Sequence, residues 1–305
     1  MRQSWGFAPR FRTLSKLSKY NPLPRILFHD DFDEGINGWC ELVGNHGGDL
    51  DRIRAAVADL RPPQLSSATF FDIGTHGALD GTYSLKLATR PKAGHQAVAI
   101  KRLTSQARGL VQFEAWFTFK AEQQFGEDLA SWDGNQDPSE ANFGDITFSN
   151  DICEARTGLR YMFALRYRNA DADGNLVQKW LYKTSLHTTT KMAVSGREVE
   201  HSDIHVRHPE DWKEIPGGNQ PLCFNEVATK INWHYLRWLQ DTKNRRNVEL
   251  QVNDLTLNLR NIPVPYYEDS YSGLPNLLNF LVDVRTVRPV RNFVFFDSIV
   301  VSVDW

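Results

Sequence analysis

The chain has 305 residues, a formal charge of −2, and 41% hydrophobic and 12% aromatic residues. That balance gives no global attraction for a phosphate backbone, so no nucleic-acid partner is expected. No apolar run approaches the ~20 residues of a membrane-spanning helix, and one sizeable core is within reach, since all-β sandwiches often exceed about 200 residues as a single unit. Residues 1–25 form a basic arm. Arg2, Arg10, Arg12, Lys16, Lys19 and Arg25 all precede the first acidic residue, Asp30, interleaved with Trp5, Phe7, Phe11, Leu14, Leu17 and Tyr20. The arm lacks the apolar core and small-residue cleavage site of a secretory signal, which leads us to expect a cytoplasmic protein. Phe11, Leu14 and Leu17 recur at helical spacing, so the arm is open to three settings: an anionic membrane surface, another subunit of a homo-oligomer, or its own domain. Cys40, Cys153 and Cys223 are odd in number and have no metal spacing, which suits free thiols in a reducing compartment.

In chain order, Ile26-Leu27-Phe28 reads as an opening strand that enters a polar turn, broken at Gly35, Asn37 and Gly38. Leu50, Ile53, Val57 and Leu60 recur at helical spacing between a capping Asp49 and Arg61-Pro62-Pro63, which predicts a short helical insertion over residues 49–60. Thr82–Ala88, Gln96–Leu103 and Leu110–Lys120 are strand-like. In the last, Val111, Phe113, Ala115, Phe117 and Phe119 share one face and Gln112, Glu114, Trp116 and Thr118 the other. Residues 121–142 read as a long polar loop carrying Trp132. Strands resume at Asp145–Phe148, and Leu159–Arg168 with Leu176–Ser185 forms a hairpin about Asp171-Ala172-Asp173-Gly174-Asn175. Residues 187–224 read as irregular and His-rich. Trp233–Asp241, Val248–Val252, Leu255–Leu259, Leu277–Arg285 and Asn292–Asp304 complete the strands. Strand–helix alternation is missing, so the pattern selects an all-β, two-sheet antiparallel β-sandwich over residues 26–305.

Several stretches resemble the concanavalin A-like lectin/glucanase superfamily and the related jelly-roll carbohydrate-binding modules. They are Leu27-Phe28-His29-Asp30-Asp31-Phe32-Asp33 with Gly38-Trp39, Gly81-Thr82-Tyr83-Ser84-Leu85-Lys86-Leu87, Trp233-His234-Tyr235-Leu236-Arg237 with Leu250-Gln251-Val252-Asn253, and the closing Phe295-Phe296-Asp297-Ser298-Ile299-Val300-Val301-Ser302. Each is short, and their order carries the resemblance across residues 26–304. The resemblance implies a jelly roll that binds a carbohydrate or glycoside on a concave sheet face. It also implies a structural calcium held by Asp31, Asp33 and Asp297 with main-chain oxygens near Gly81 and Ser84. Asp297 reads as in phase with Phe293, Phe295, Ile299 and Val301 on a core-facing row, where a carboxylate must be neutralised. Calcium and hydrogen bonds from backbone N–H groups are both open for that role.

Sugar rings are held by aromatic stacking and by carboxylate or amide hydrogen bonds. Trp116 and Glu114 are therefore the first candidates for the ligand face, joined by Trp132, Trp180 and Trp238. Gly44-Asn45-His46-Gly47-Gly48-Asp49, at the start of the predicted helix, places Asn45 and His46 as further ligand contacts, while a plain turn and helix cap explain the same residues. The paired-glutamate strand of laminarinase-type enzymes is missing. Catalytic candidates reduce to Glu114, Asp151, Glu154 and His46, for which surface carboxylates are the competing reading. His201, Asp203 and His205 alternate, with His208 close behind, as a metal site would arrange them or as a solvated loop does. The expectation is a carbohydrate-binding sandwich; a glycoside hydrolase or lyase using Asp, Glu and His, and an oligomeric interaction protein docking through its basic arm, are the alternatives.

Overall fold

Period-two alternation forces each strand to present one apolar and one polar face, and two such sheets bury their apolar faces against each other. The computed structural model describes residues 19–41, 60–67, 78–122, 140–185, 190–194, 197–201, 211–225, 231–268 and 276–305. In chain order the strands are β1 (Arg25–Asp30), β2 (Trp39–Cys40), β3 (Leu60–Arg61), β4 (Gln64–Ser67), β5 (Tyr83–Ala88), β6 (Gln96–Lys101) and β7 (Leu110–Ala121). Next come β8 (Asp145–Cys153), β9 (Leu159–Ala170), β10 (Leu176–Lys183), β11 (Thr190–Val194), β12 (Arg197–His201) and β13 (Trp212–Asn219). The last are β14 (His234–Asp241), β15 (Arg246–Val252), β16 (Leu255–Asn258), β17 (Tyr266–Glu268), β18 (Leu278–Arg285) and β19 (Asn292–Val303).

The first sheet runs β16-β15-β14-β7-β19-β5-β4, with β1 also on β19; the second runs β13-β10-β9-β8-β18-β6-β2, with β17 on β9 and β3 on β6. Strands β11 and β12 form a separate hairpin. Central neighbours such as β7 and β19, or β8 and β18, are far apart in sequence and pair antiparallel. This is a jelly-roll sandwich, as the strand pattern predicts. Among the described residues there is no α-helix, only a 3-10 turn at Glu140–Asn142. The predicted helix lies outside the described residues except at its end, where Leu60 and Arg61 pair parallel with β6.

Aromatic side chains from both sheets fill the core. Phe113 of β7 meets Phe148 of β8 edge to face at 6.1 Å, and Phe148 meets Phe296 of β19 at 5.8 Å. Fully burying such a side chain contributes roughly 1.5–3 kcal/mol. Some polar groups enter the core: Asn150 donates to Gln240 at 2.7 Å, which leaves Asn150 Oδ1 and Gln240 Nε2 without partners, and the Gln220 amide joins Trp180 Nε1 to the Val252 carbonyl.

Two sequence expectations change here. Residues 187–224 are not irregular throughout, because β13 passes through Pro216-Gly217-Gly218; as an edge strand it tolerates a proline. The phase of the last strand also reverses within it. Val294 and Phe296 face the core before the break, and Ile299, Val301 and Val303 after it. Ser298, at φ +54°, forms a bulge where the register with β7 slips between Asp297 and Val300. Phe293, Phe295 and Asp297 therefore sit on the outer face, and Asp297 is not in a core-facing row with Ile299 and Val301.

Candidate functional site

On the first sheet, β7 sends Gln112, Glu114, Trp116 and Thr118 outward as the alternation requires. That face is not free. Residues 19–23 of the basic arm lie across it: the Asn21 amide donates to Glu114 Oε1 at 3.0 Å, its carbonyl accepts from Gln112 at 2.7 Å, and the Leu23 amide donates to Ser302 Oγ at 2.9 Å. The Tyr20 hydroxyl donates to the Ser298 carbonyl, and the Lys19 ammonium reaches both Asp80 and Ser298. Glu114 is fully buried and also accepts from the Tyr235 hydroxyl and, at 2.9 Å, from Gln112 Nε2. Burial, reinforced by the Glu114 charge, drives the Tyr235 hydroxyl far above its ordinary range, so it remains a donor. A carboxylate with three internal donors is a structural acceptor, which corrects its place as a catalytic or ligand residue. Trp116 is only partly exposed and stands 5.4 Å from the Tyr235 ring.

The expected calcium set does not assemble as ligands. Asp297 Oδ2 accepts the amides of Leu79 and Asp80 at 2.7 and 3.1 Å, and Asp33 Oδ1 accepts those of Thr82 and Tyr83 at 2.6 and 3.2 Å. The 79–83 turn thus presents main-chain nitrogens, not the expected oxygens, to both carboxylates. Gly81 is required there, since its φ is +79° and a Cβ would lie 1.9 Å from Asp33 Oδ2. The Lys19 ammonium supplies positive charge beside Asp297, whose carboxyl burial raises to about 6. Asp31 follows β1, and among the described residues no group of three or more His, Cys, Asp or Glu is placed to share a metal. Donors and an ammonium do not fit a cation that needs six to eight oxygens. Backbone N–H groups, the other expectation for Asp297, are its partners.

The second sheet carries the denser polar face. Register aligns Asp283 of β18 with Thr147 of β8, and Thr147 with Arg166 of β9; one level along, Arg285 aligns with Asp145, and Asp145 with Arg168. Arg168 Nε donates to Asp145 Oδ1 at 3.0 Å, and Arg166 Nη1 stands 3.5 Å from Asp145 Oδ2. Arg166 Nε also donates to Thr147 Oγ1 at 3.2 Å, and its Cζ lies 4.0 Å from the centre of the Trp212 ring. Lys183 is 5.4 Å from the same ring and 3.7 Å from Asp211, while Met162 and Ala164 pack against Trp212.

The centre of this face is buried: Arg166 and Thr147 are 0% exposed, Asp283 1% and Ser149 2%. Arg168, Lys179, Trp212 and Arg285 at its margins are partly exposed. Burial lowers the Arg166 guanidinium to about 10, against the raising effect of Asp145 and Asp283. Burial likewise lifts the Asp283 carboxyl to about 7; Arg166 opposes the shift and Asp145 adds to it. The polar atoms buried here without a hydrogen-bond partner include Asp283 Oδ1, Ser149 Oγ, Arg285 Nε and Trp212 Nε1. Only the margin of this face, at Arg168, Lys179, Trp212 and Arg285, is open to a hydroxyl-rich or charged group, while the buried Asp283 carboxyl is raised to where it can take up or release a proton near neutral pH.

The remaining sequence candidates do not gather there. Trp180 and Trp238 are 0% and 1% exposed and bond Gln220 and Asn247, so they are core residues and not ligand contacts. β14 turns Trp238 inward in phase with Leu236 rather than Arg237, and β10 turns Trp180 inward in phase with Tyr182. Asp151 lies within β8 and not on a loop, paired with Arg160 at 2.8 and 2.7 Å. Glu154 closes a turn with Thr157 at 2.9 Å. Glu114 belongs to the outer face of the opposite sheet, so the aromatic core separates it from Asp151 and the three carboxylates do not converge. Asn45, His46, Trp132, Asp203, His205 and His208 lie outside the described residues, and His201 is described only as backbone in β12. Sequence reasoning missed Arg166, Asp283, Arg285, Ser149 and Trp212. Their signal was present in part: Arg160, Arg166 and Arg168 alternate with Tyr161, Phe163, Leu165 and Tyr167, as Asp283 and Arg285 do with Val282 and Val284.

Two largely antiparallel sheets with crossing connections and one shared aromatic core define a jelly-roll β-sandwich. Within that class, the chain belongs to the family described as "Domain of unknown function (DUF6772)", whose model matches residues 10–305. No curated protein matches the chain. Among solved structures it is similar to a protein described as "Cellulose induced protein, Cip1", at 13% identity and a TM-score of 0.40 over 91% of this chain and 97% of that one. It is similar to a legume lectin-like domain from Entamoeba histolytica at 7% identity and a TM-score of 0.37, covering 79% and 90%. A winged bean acidic lectin in complex with methyl-alpha-D-galactose is similar at 9% identity and a TM-score of 0.35, covering 79% and 92%. Likeness this distant carries nothing about ligands.

Proposed function

We propose that this protein is a carbohydrate-binding β-sandwich whose ligand face is the outer surface of the second sheet around Asp283, Arg166 and Trp212. The observation that carries the reading is the set of buried polar atoms on that face without protein partners. Buried donors and acceptors are costly when unmet, and hydroxyl groups both donate and accept. Trp212 adds an aromatic ring beside them, as sugar sites require. On the opposite face Glu114 is met by Asn21, Gln112 and Tyr235, and Trp116 Nε1 and Ser84 Oγ are the buried atoms left without a partner.

The test is retention on a panel of immobilised glycans. Wild-type protein is expected to bind at least one, Trp212→Ala to weaken that binding by roughly tenfold or more, equivalent to ~1.4 kcal/mol, and Trp116→Ala to leave it unchanged. Failure of the wild type to bind any glycan, or equal binding by Trp212→Ala, overturns the proposal. A second reading, a glycoside hydrolase or lyase, is favoured by one observation: a carboxyl lifted to about 7 is suited to proton transfer at neutral pH. Under that reading the bound glycan is turned over, and Asp283→Asn abolishes turnover while retaining binding.

A further inference from the structure

His234 opens β14 on the inward row it shares with Leu236 and Trp238, and it is 3% exposed. The rings of Phe117 and Phe119 flank its imidazole at 5.4 and 5.9 Å. Both ring nitrogens are engaged, by groups that differ in kind. Nε2 lies 2.9 Å from the Cys223 carbonyl, which can only accept, so Nε2 carries the hydrogen. Nδ1 lies 3.0 Å from Asn253 Nδ2. The Asn253 amide is held in that orientation because its Oδ1 accepts the Tyr235 N–H at 3.0 Å, and a main-chain nitrogen only donates. Its NH2 group therefore faces Nδ1, which must be a bare acceptor. The neutral Nε2–H tautomer is the form of the ring that meets both neighbours.

Asn253 turns the chain between β15 and β16 at φ +52°, and its own N–H donates to the Tyr235 carbonyl at 2.9 Å. Three hydrogen bonds thus dock the turn on the start of β14, and the one to His234 depends on the charge of the ring. A proton added at Nδ1 points at the Asn253 NH2 group. The turn then loses the ring or, if the amide rotates to offer its oxygen, the Tyr235 N–H. The titratable side chains on the packed segments give the imidazolium no counterion. They are Cys223 beside the ring and, on β9, Tyr167, whose hydroxyl burial keeps protonated. Arg237 of β14 points to the other face and pairs with Glu249, and Asp254 is exposed on the turn beyond Asn253. Burial holds His234 below the ordinary value of 6.5 against the opposing Cys223 carbonyl, and no charged side chain among the described residues contributes.

We propose that His234 is an acid-sensitive latch: neutral, it fastens the Asn253 turn to the start of β14, and protonated, it lets the turn go. The unfolded ring takes up its proton below 6.5 and the folded ring only at lower pH, so the stabilisation is whole above that value and is lost as pH falls. Asp283 and Asp297, both raised, act in the opposite direction, so the latch is read locally and not from a global melt.

NMR of the full chain tests it. At neutral pH the His234 ring is expected in its Nε2–H form. Hydrogen-exchange protection of the Tyr235 and Asn253 amides is expected to fall about tenfold or more between about pH 7 and about pH 4.5, while that of Leu239, in the middle of β14, changes by less than about threefold. Asn253→Asp keeps an acceptor for the Tyr235 N–H and gives the charged ring a carboxylate; it is expected to raise the His234 titration midpoint and to keep the turn protected in acid. An Nδ1–H tautomer at neutral pH overturns the proposal, as does a loss of protection that is equal at Leu239. It also falls if Asn253→Asp opens in acid as the wild type does.

Discussion

The outer faces of the two sheets begin from the same rule and end differently. Each strand alternates, so each sheet must turn a polar row away from the core; Glu114 on β7 and Asp283 on β18 are equivalent products of that rule. On the first sheet the chain meets the carboxylate of the row and leaves Trp116 Nε1 without a partner. Residues 19–23 lie over it, and Glu114 accepts from Asn21, Gln112 and Tyr235. On the second sheet the central charges pair among themselves, yet Asp283, Ser149, Arg285 and Trp212 each retain a buried atom without a partner. The contrast teaches that a buried carboxylate is not a functional signal until its partners have been accounted for. Satisfied from within the chain, it is part of the fold; unsatisfied, it points to a group from outside.

The comparison breaks most visibly at Arg166. Replacing it by Met leaves Asp145 and Asp283 buried without their shared cation, and urea unfolding should show a loss of ~3–5 kcal/mol. A change below about 1 kcal/mol would mean that the second face is not held by buried charge at all. A smaller effect is expected on the first face. Glu114→Ala orphans donors on Asn21, Gln112 and Tyr235, for a loss of about 1–3 kcal/mol. It should speed proteolysis near Asn21 and leave glycan affinity as it was; weaker glycan binding would return function to that face.

Smallest, and dependent on pH, is the change at Asp283. Its carboxyl is raised from 3.8 to about 7, so between those values the folded chain keeps a proton that the unfolded chain has released. The stability this confers is present below the lower value and is lost as pH rises through the upper one. Asp297, raised to about 6, acts in the same direction over a narrower window. Asp283→Asn removes the larger contribution, so relative to wild type it should gain on the order of 1–2 kcal/mol near pH 8 and nothing near pH 4. Thermal melts at several pH values check the sign, and a variant that gains at low pH instead would contradict it.

Much of the fold was legible in the sequence because period-two alternation is local. The hairpin around Asp171, the alternating row of β7 and the closing strands all fall where the residues place them. The site was less legible. Trp180 and Trp238 read as ligand aromatics because a tryptophan looks alike on either face until its neighbours' phase is known. The bulge at Ser298 moved Asp297 to the outer surface, since one inserted residue reverses the facing of all that follow. The arginines of β9 were visible as an alternating row, but their meaning depended on Asp145 and Asp283, which approach from β8 and β18.

What the sequence determined by itself is therefore the class: a two-sheet antiparallel sandwich with an aromatic interior and polar outer rows. Strand periodicity is written within a few residues, and the partition of apolar surface from water enforces it. What only the tertiary structure decided is which outer carboxylate is already met within the chain. Hydrogen-bond partners come from strands and segments distant in the chain, such as Asn21 for Glu114 or Arg166 for Asp145, and their meeting depends on sheet order and register rather than on any local pattern.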